Sequence, residues 1–333
     1  MSFIMNIRSV AKYESKILVR SWFFRIFTLL AVVFLGFFNF AMMLMEDNFG
    51  LWFAKSVSSN IPYLNLLLLN TGQAVVAVFL SSEFLKRDKK LDTFEVFYVR
   101  PLSNAEYVVG KIWGNLRVFL FLNLLVLAIV LAFNFMASGV TVDLPAYLVY
   151  FFLISIPTLI FIIGLSIFLM LLLKNQALTF ILLLGYIGLT LFYIQDKFYY
   201  LFDYMVYNLP LFKSTIVGFS NLELILNHRA IYFFAGLGFI FFTIFLFKRL
   251  PNARRSHYPW LFLSFCMFLL MVTAGFRHVR SILWEGEMRA LYTSINNKYV
   301  YEPKMAIDYY DISVEQKSET IRSVVGMEGT ALA

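Results

Sequence analysis

Long apolar stretches separated by short polar intervals dominate this 333-residue chain. A helix needs roughly 20 predominantly apolar residues to cross the hydrocarbon core of a bilayer. A β-barrel would instead show weaker segments of alternating hydrophobicity. Seven stretches approach or exceed the length of a spanning helix, at residues 24–44, 61–81, 118–136, 146–173, 177–194, 230–247 and 260–276. The pattern therefore predicts an all-α polytopic membrane protein with six to seven transmembrane helices, and a transmembrane domain over residues 23–276.

One polar interval, residues 83–111, has an internal order that a plain connecting loop does not need. The sequences D-x-x-E at 92–95 and S-x-x-E at 103–106 both have the spacing of a capping box, which starts a helix. Pro101 lies between them and disfavours helical geometry at the residue before it. The interval therefore predicts a short amphipathic helix over about 92–99, and a second helix that runs from the second box into the next apolar stretch.

The N-terminal segment, residues 1–22, carries a basic residue at every fourth position and apolar residues over much of its remaining surface. Such a helix is predicted to lie in the membrane interface, with its basic side chains at anionic headgroups. Glu14 interrupts this pattern. It is either a solvated or locally paired acid, or a charge partner for an associated subunit. The basic residues are Arg8, Lys12, Lys16 and Arg20.

Charge and composition decide the class and the topology. With 61% hydrophobic and 14% charged residues, the chain is not a soluble globular domain. Its net charge of +8 comes from Lys and Arg beside the apolar stretches, which indicates topology rather than nucleic-acid binding. A cytoplasmic N-terminus places 16 basic residues inside and 4 in the short outer loops, as the positive-inside rule requires. Seven spans then place the tail after residue 276 outside.

Candidate chemistry is sparse in the spans. Asn65, Asn70 and Gln73 lie in the second span, where amides usually pair across helices. A place in a substrate path is the alternative. No ionisable residue lies near the middle of a span, which argues against an ion-coupled carrier. The pair Gly110 and Gly114 forms a weak helix-association motif.

The chain also lacks the motifs of the enzymes that could supply energy or peptidase activity. It contains no G-x-x-x-x-G-K-[ST] phosphate-binding loop, no H-E-x-x-H zinc motif and no G-x-S-x-G nucleophile elbow. We therefore predict that it is not an enzyme, with no catalytic residue, no metal ligand and no cofactor of its own.

Two segments outside the spans are distinctive. Residues 195–229 are rich in aromatic residues and predict interfacial or re-entrant helices at the outer surface, with a break near Pro210. Residues 277–333 predict an extracytoplasmic tail, in which a polar continuation of the last helix leads to strand character over 299–314. This tail suggests the start of a soluble domain that is too short to complete a core. A short docking tail is the alternative.

Residues 83–111 resemble the cytoplasmic loop of the permease subunits of type-2 ABC transporters, the exporter-like class. That loop tends to read as an acid, then Gly-Thr-Leu-Glu-Leu-Leu, then Pro-x-Ser and Gly-Lys. This chain has Glu83, then Asp-Thr-Phe-Glu-Val-Phe at 92–97, then Pro-Leu-Ser at 101–103 and Gly-Lys at 110–111. Asp92 replaces the usual glycine, and a seventh span departs from the usual six.

One subgroup of these permeases is more similar. Its members carry an extracytoplasmic zinc-aminopeptidase-like domain after the membrane part, and Arg-Asp at 87–88 and residues 303–312 resemble that subgroup. No peptidase motif accompanies these residues, so the resemblance implies a truncated domain without assigned activity.

The resemblance implies a permease that exports a substrate across the bacterial inner membrane. Its implied partners are a cytoplasmic ABC ATPase, a second permease copy in a homo- or heterodimer, and membrane lipid, but not nucleic acid. ATP and magnesium would belong to the ATPase. The implied ATPase-coupling residues are Leu91, Asp92, Thr93, Phe94, Glu95, Val96, Phe97 and Pro101. The implied cytoplasmic gate or subunit contacts are Glu14, Glu83, Arg87 and Lys111. A membrane anchor for an extracytoplasmic peptidase-like domain, or a non-ABC transporter, remains an alternative.

Overall fold

The structure, a computed structural model, describes most of the chain in two units, Met1–Arg280 and Ser281–Ala333. The described residues are 2–44, 57–82, 102–136, 141–194, 196–209, 211, 213, 218–219, 221–247, 258–300, 302, 305–317 and 320–331. The predicted coupling helix at 92–99 lies outside them.

Among the described residues, seven helices are long and apolar enough to span a membrane, and each overlaps one predicted stretch. The predicted set of long apolar helices is therefore confirmed. The helices are α1 (Ser2–Arg20), followed by the seven apolar helices α2 (Trp22–Leu44), α3 (Asn60–Ser82), α4 (Asn104–Met136), α5 (Leu144–Leu173), α6 (Gln176–Ile194), α7 (Leu222–Leu246) and α8 (Tyr258–Tyr299). The long start of α4 and the continuation of α8 past residue 276 agree with the sequence. The early start of α7, before residue 230, was not predicted.

Helices α3 and α5 form the centre of the first unit. Of the most apolar stretch of each helix, 67% is buried in α3 and 61% in α5. The same fraction is 17% in α2, 22% in α6 and 11% in α8. These three helices therefore leave broad apolar faces uncovered, as expected of helices that contact lipid.

Helices α5 and α7 pack backbone against backbone in the middle of this unit. A Cβ atom added to Gly164 would lie 2.6 Å from the carbonyl oxygen of Gly236, and one added to Gly236 would lie 2.7 Å from the carbonyl oxygen of Ile160. Only glycine allows two helices to approach this closely. The contact brings the start of α7 beside α5, where several polar groups meet.

The second unit contains an antiparallel hairpin of β1 (Met305–Lys317) and β2 (Thr320–Ala331). The strand character predicted for 299–314 is confirmed from Met305 onward, whereas the second strand was not predicted. An irregularity between Ile307 and Tyr309 keeps the apolar side chains on one face. That face remains exposed and consists of Ile307, Tyr310, Ile312, Val314, Ile321, Val325 and Met327.

Candidate functional site

The first unit has two polar ends of different character. We call the end that contains α1 and residues 102–117 the basic end, and the end that contains residues 196–209 the aromatic end. The sequence placed candidate residues at the basic end and inside the bundle. Of these, Glu83, Arg87 and all eight coupling residues lie outside the described residues.

Helix α4 starts as its capping box predicts. The backbone N–H of Ser103 donates to Oε2 of Glu106 at 2.6 Å, and the backbone N–H of Glu106 donates to the Ser103 hydroxyl at 3.2 Å. This reciprocal pair satisfies two donors that a helix start would otherwise leave open. The box fixes the point at which the chain leaves the predicted coupling segment and becomes helical.

Helix α1 lies directly against the first turns of α4. A Cβ atom added to Gly110 would lie 2.7 Å from Cβ of Val10, and one added to Gly114 would lie 2.7 Å from Cβ of Glu14. The glycine pair that looked like a weak association motif therefore forms a groove for α1 of the same chain. Several hydrogen bonds cross this contact, among them those from Ser15 Oγ to the Gly114 carbonyl at 2.7 Å, from Asn6 Nδ2 to Glu106 Oε1 at 2.9 Å and from the Arg117 guanidinium to the Ala11 carbonyl at 2.8 Å.

Glu14 and Lys111 form an ion pair inside this contact. Lys111 Nζ lies 3.7 Å from Glu14 Oε2, and the two side chains are only 2% and 3% exposed. The interpretation of Glu14 as a solvated acid is therefore wrong, because the carboxylate is enclosed between α1 and α4. Removal of one partner from a buried ion pair leaves a charge without full compensation, so the pair ties the two helices together.

The rest of α1 agrees with the sequence only in part. The predicted helix is confirmed, and its four basic side chains (Arg8, Lys12, Lys16 and Arg20) are exposed. Its apolar residues Val10, Ala11 and Leu18 are buried, since that face packs on α4. Helical hydrogen bonds continue through Ser21 into α2. The side available to lipid or a partner therefore carries these basic residues together with exposed apolar ones such as Ile4, Met5 and Tyr13.

The amides of the second span form two buried clusters inside the bundle. Asn65 exchanges hydrogen bonds of 2.7 and 3.1 Å with Asn39 of α2. Asn70 donates to Asn123 at 3.1 Å and to Ser155 at 3.3 Å, and Asn123 donates to Gln73 at 2.8 Å. Hydrogen bonds between these polar groups thus join α2 to α3, and α3 to α4 and α5, as the packing interpretation predicts.

Comparison with known proteins does not assign the chain to a family. No protein-family model matches the chain, and no curated protein matches it. The permease interpretation therefore rests on the chain's own residues.

The aromatic end is built from a partly buried loop that contains a single helical turn, the 3₁₀ turn Phe198–Tyr200, among the described residues from 196 to 209. The helices predicted for residues 195–229 are therefore wrong for this part of the segment. Tyr204, Val206 and Leu209 are at most 1% exposed, so the second half of the loop is inserted into the bundle, whereas Phe198 and Tyr199 remain exposed. Buried backbone of this kind needs partners for its carbonyl and N–H groups.

Arg229 supplies several of these partners. Its guanidinium donates to the carbonyls of Leu153 at 2.6 Å, Ile154 at 3.3 Å and Tyr204 at 2.9 Å. Pro157 has no N–H to donate to the Leu153 carbonyl four residues earlier, and a π-helical turn over Phe151–Ser155 also departs from the regular pattern. Arg229 was predicted to lie in the outer loop, but the structure places it within α7. Its buried guanidinium is accommodated there because these carbonyls accept its N–H donors.

Asp203 stabilises the loop through hydrogen bonds to the loop's own backbone. Its carboxylate accepts the backbone N–H groups of Tyr207 at 2.9 Å and Asn208 at 2.8 Å. Burial raises the pKa of Asp203, while these N–H donors and the charge of Arg229 act in the opposite direction. An ion pair joins Lys213 Nζ to Asp143 at 2.6 Å, and the Asp143 side chain also caps the start of α5.

The described residues contain no group of three or more His, Cys, Asp or Glu side chains that could hold a metal. Between the two ends, the polar groups pair mainly with one another and with backbone carbonyls. These hydrogen bonds hold neighbouring helices in fixed positions relative to one another.

Proposed function

We propose that this chain is the membrane-spanning permease subunit of an ATP-driven ABC transporter that exports a substrate across a bacterial inner membrane. It acts with a second permease copy and a separate cytoplasmic ATPase, which binds ATP and magnesium. The observation that carries the proposal is the tight pairing of α1 with the first turns of α4, immediately after the segment that resembles a coupling loop.

This pairing is suited to the transmission of force. Residues 92–99 would dock on the ATPase with the apolar face that contains Leu91, Phe94 and Phe97, while Thr93 and Glu95 fix the orientation. A push on that helix would reach α4 through the turn at Pro101. Because α1 packs in the Gly110–Gly114 groove of α4 and its hydrogen bonds continue into α2, the push would reach the spanning helices α4 and α2 together.

The proposal also assigns an orientation. The basic end is cytoplasmic, in accord with the positive-inside rule, and the aromatic end faces outward. Arg8, Lys12, Lys16 and Arg20 then lie where anionic headgroups and the ATPase are available. Glu14 and Lys111 act as a contact within the chain. We leave Asn65, Asn70 and Gln73 out of the substrate path, because their amides are bonded to neighbouring helices.

Coupling can be measured with the chain reconstituted beside its ATPase. We expect Glu95→Lys and Phe94→Asp to abolish substrate-stimulated ATP hydrolysis while the permease still inserts and migrates as a folded species. The matched control is Asp196→Lys, a charge reversal at an exposed acid of the aromatic end. Coupled hydrolysis at the parent rate in both coupling variants, or failure of any nucleotide-binding subunit to copurify, would refute the proposal.

The amphipathic hairpin Met305–Ala331 favours a second candidate, an anchor for a soluble extracytoplasmic domain. A lone two-stranded hairpin is marginally stable in water, and its apolar face needs a cover. Deletion of residues 303–333 separates the candidates: a permease keeps ATPase coupling, whereas an anchor keeps membrane insertion and loses the function of the soluble domain.

A further inference from the structure

The last part of α8 carries an apolar stripe that the described residues leave uncovered. No residue of this helix after His278 is buried. Apolar side chains recur there with the spacing i, i+4, i+7, i+8, i+11 and i+15, which places them on one face of a helix. All of them are exposed except the second, which is half-buried. The stripe consists of Trp284, Met288, Leu291, Tyr292, Ile295 and Tyr299.

Lipid does not account for the far half of this stripe. The last predicted apolar stretch ends at residue 276, and Ile295 lies 19 residues further along the same helix. At a rise of about 1.5 Å per residue, this separation is about 28 Å of helix. The headgroup layer on each side of a bilayer is only about 5–8 Å thick. The far half of the stripe therefore needs a protein surface to cover it.

The spacing of the stripe is that of a two-stranded coiled coil. Four of its residues alternate by four, three and four positions, as the core positions d, a, d and a of a heptad do. We call these four residues the seam: Trp284, Met288, Leu291 and Ile295. Ile295 occupies an a position and Leu291 a d position, and this combination favours a parallel pair of helices.

A second copy of the chain offers the same seam in the required direction. All copies of a membrane protein insert with one orientation, so two α8 helices that cross side by side pair in parallel. In a parallel pair, each g residue faces the e residue five positions later on the other helix. Arg280 of one copy then faces Glu285 of the other, and Glu287 faces the neutral Tyr292. Lys298 takes the next d position and ends the seam, one residue before the helix itself ends.

We propose that residues 284–299 pair with the same segment of a second copy in a parallel, two-stranded coiled coil on the outer side of the membrane. A seam of about two heptads is marginal for free helices. The membrane holds both helices in one plane with one orientation, which raises the effective concentration of each for the other. The second copy is the permease partner of the proposed function, so the inference rests on that pairing but not on ATP coupling.

Disulfide trapping in the full chain tests the seam. Cys266→Ser removes the native thiol, and one cysteine is then introduced by Leu291→Cys in the seam or by Thr293→Cys on the opposite, exposed face. A disulfide needs Cα atoms about 4.4–6.8 Å apart, a separation that facing d residues of a parallel pair approach. In liposomes at low protein density, copper-phenanthroline oxidation should give about tenfold more linked dimer in Leu291→Cys than in Thr293→Cys.

An exchange of charges tests the register. In the Leu291→Cys chain, Glu285→Arg should lower the yield of linked dimer, because Arg280 of the other copy then meets a like charge. Addition of Arg280→Glu should restore the yield, since the opposite charges are present again in reversed positions. A loss that came only from misfolding would not be recovered in this way.

Equal dimer yields at the two cysteine positions would overturn the proposal, as would a charge exchange that does not restore the yield. A disulfide within one chain, between Leu291→Cys and Val325→Cys, would also overturn it, because the hairpin β1–β2 would then cover the stripe. Loss of the seam with ATPase coupling intact would refute only this inference. A trapped dimer with no copurifying nucleotide-binding subunit would support the seam and refute the proposed function.

Discussion

Replacement of Gly114 by alanine should push α1 away from α4. The new Cβ would lie 2.7 Å from Cβ of Glu14 and 2.8 Å from the carbonyl oxygen of Ala11. Carbon atoms pack best at about 3.5–4.0 Å, so the helices must separate by about 1 Å. The Ala11 oxygen belongs to the backbone and cannot rotate aside as a side chain could.

The expected cost combines two unfavourable effects with one favourable effect. Overpacking of a tight contact costs about 1–3 kcal/mol, and the shift also stretches the hydrogen bond from Ser15 to the Gly114 carbonyl, which is worth about 1 kcal/mol. Alanine recovers about 1 kcal/mol of helix propensity. We therefore expect a net loss of about 1–3 kcal/mol in the docking of α1. Gly185→Ala is the matched control, because nothing lies within 4 Å of its added Cβ.

Hydrogen exchange of the full chain in nanodiscs, followed in the fragment that covers residues 2–20, measures the docking of α1 locally. Gly114→Ala should raise the exchange rate of α1 by about five- to 150-fold, as a loss of about 1–3 kcal/mol implies. Gly185→Ala should leave α1 protected and can stabilise its own helix. Equal protection of α1 in the parent and in Gly114→Ala would refute the close packing, as would an equal effect of the control.

Three further outcomes are expected. Lys111→Met should cost about 3 kcal/mol in denaturation by detergent, because the buried Glu14 loses its cation, and Glu14→Gln in the same chain should recover most of that loss; additive effects would contradict a coupled pair. Arg229→Met should expose residues 196–209 to proteolysis, since the Leu153 and Tyr204 carbonyls lose their donors. The control Arg280→Met, at an exposed position, should not have this effect. Equal cleavage of the two variants would contradict the role of Arg229 in holding the loop. Burial raises the pKa of Asp203, so the folded loop holds that proton more tightly than the unfolded chain does. Its contribution to stability is present below the ordinary value near 3.8 and is lost as the pH rises through the raised pKa. Exchange protection of 196–209, corrected for intrinsic rates, should therefore be greater near pH 3.8 than at pH 8, and Asp203→Asn should remove that difference.

Apolar length was enough to predict the spanning helices, because roughly 20 apolar residues have few other stable arrangements. It could not give the partners of the polar residues inside them. Asn70 meets Asn123 and Ser155, which are 53 and 85 positions further along the chain, and periodicity carries no information on such pairs. The amides were recognisable as candidates, but Asn123 and Ser155 were missed.

The predicted helix ends were wrong where tertiary contacts outweighed local composition. The polar stretch before residue 230 looked like a loop because it contains Asn, His and Arg. In the structure α7 begins at Leu222, because Arg229 and His228 find acceptors on α5 and on the loop. At the basic end, the sequence indicated the capping box and the glycine pair but not that α1 fills the groove.

The bonds of Arg229 also constrain the order in which the chain can mature. The carbonyls of Leu153 and Ile154 receive donors from a residue 76 and 75 positions later. During synthesis, α5 is complete long before Arg229 leaves the ribosome, and carbonyl groups without donors are costly in hydrocarbon. The middle of α5 must therefore stay hydrated or paired elsewhere until α7 arrives. A pause or truncation between residues 173 and 229 would leave an insertion intermediate whose fourth span is the weak point for quality control.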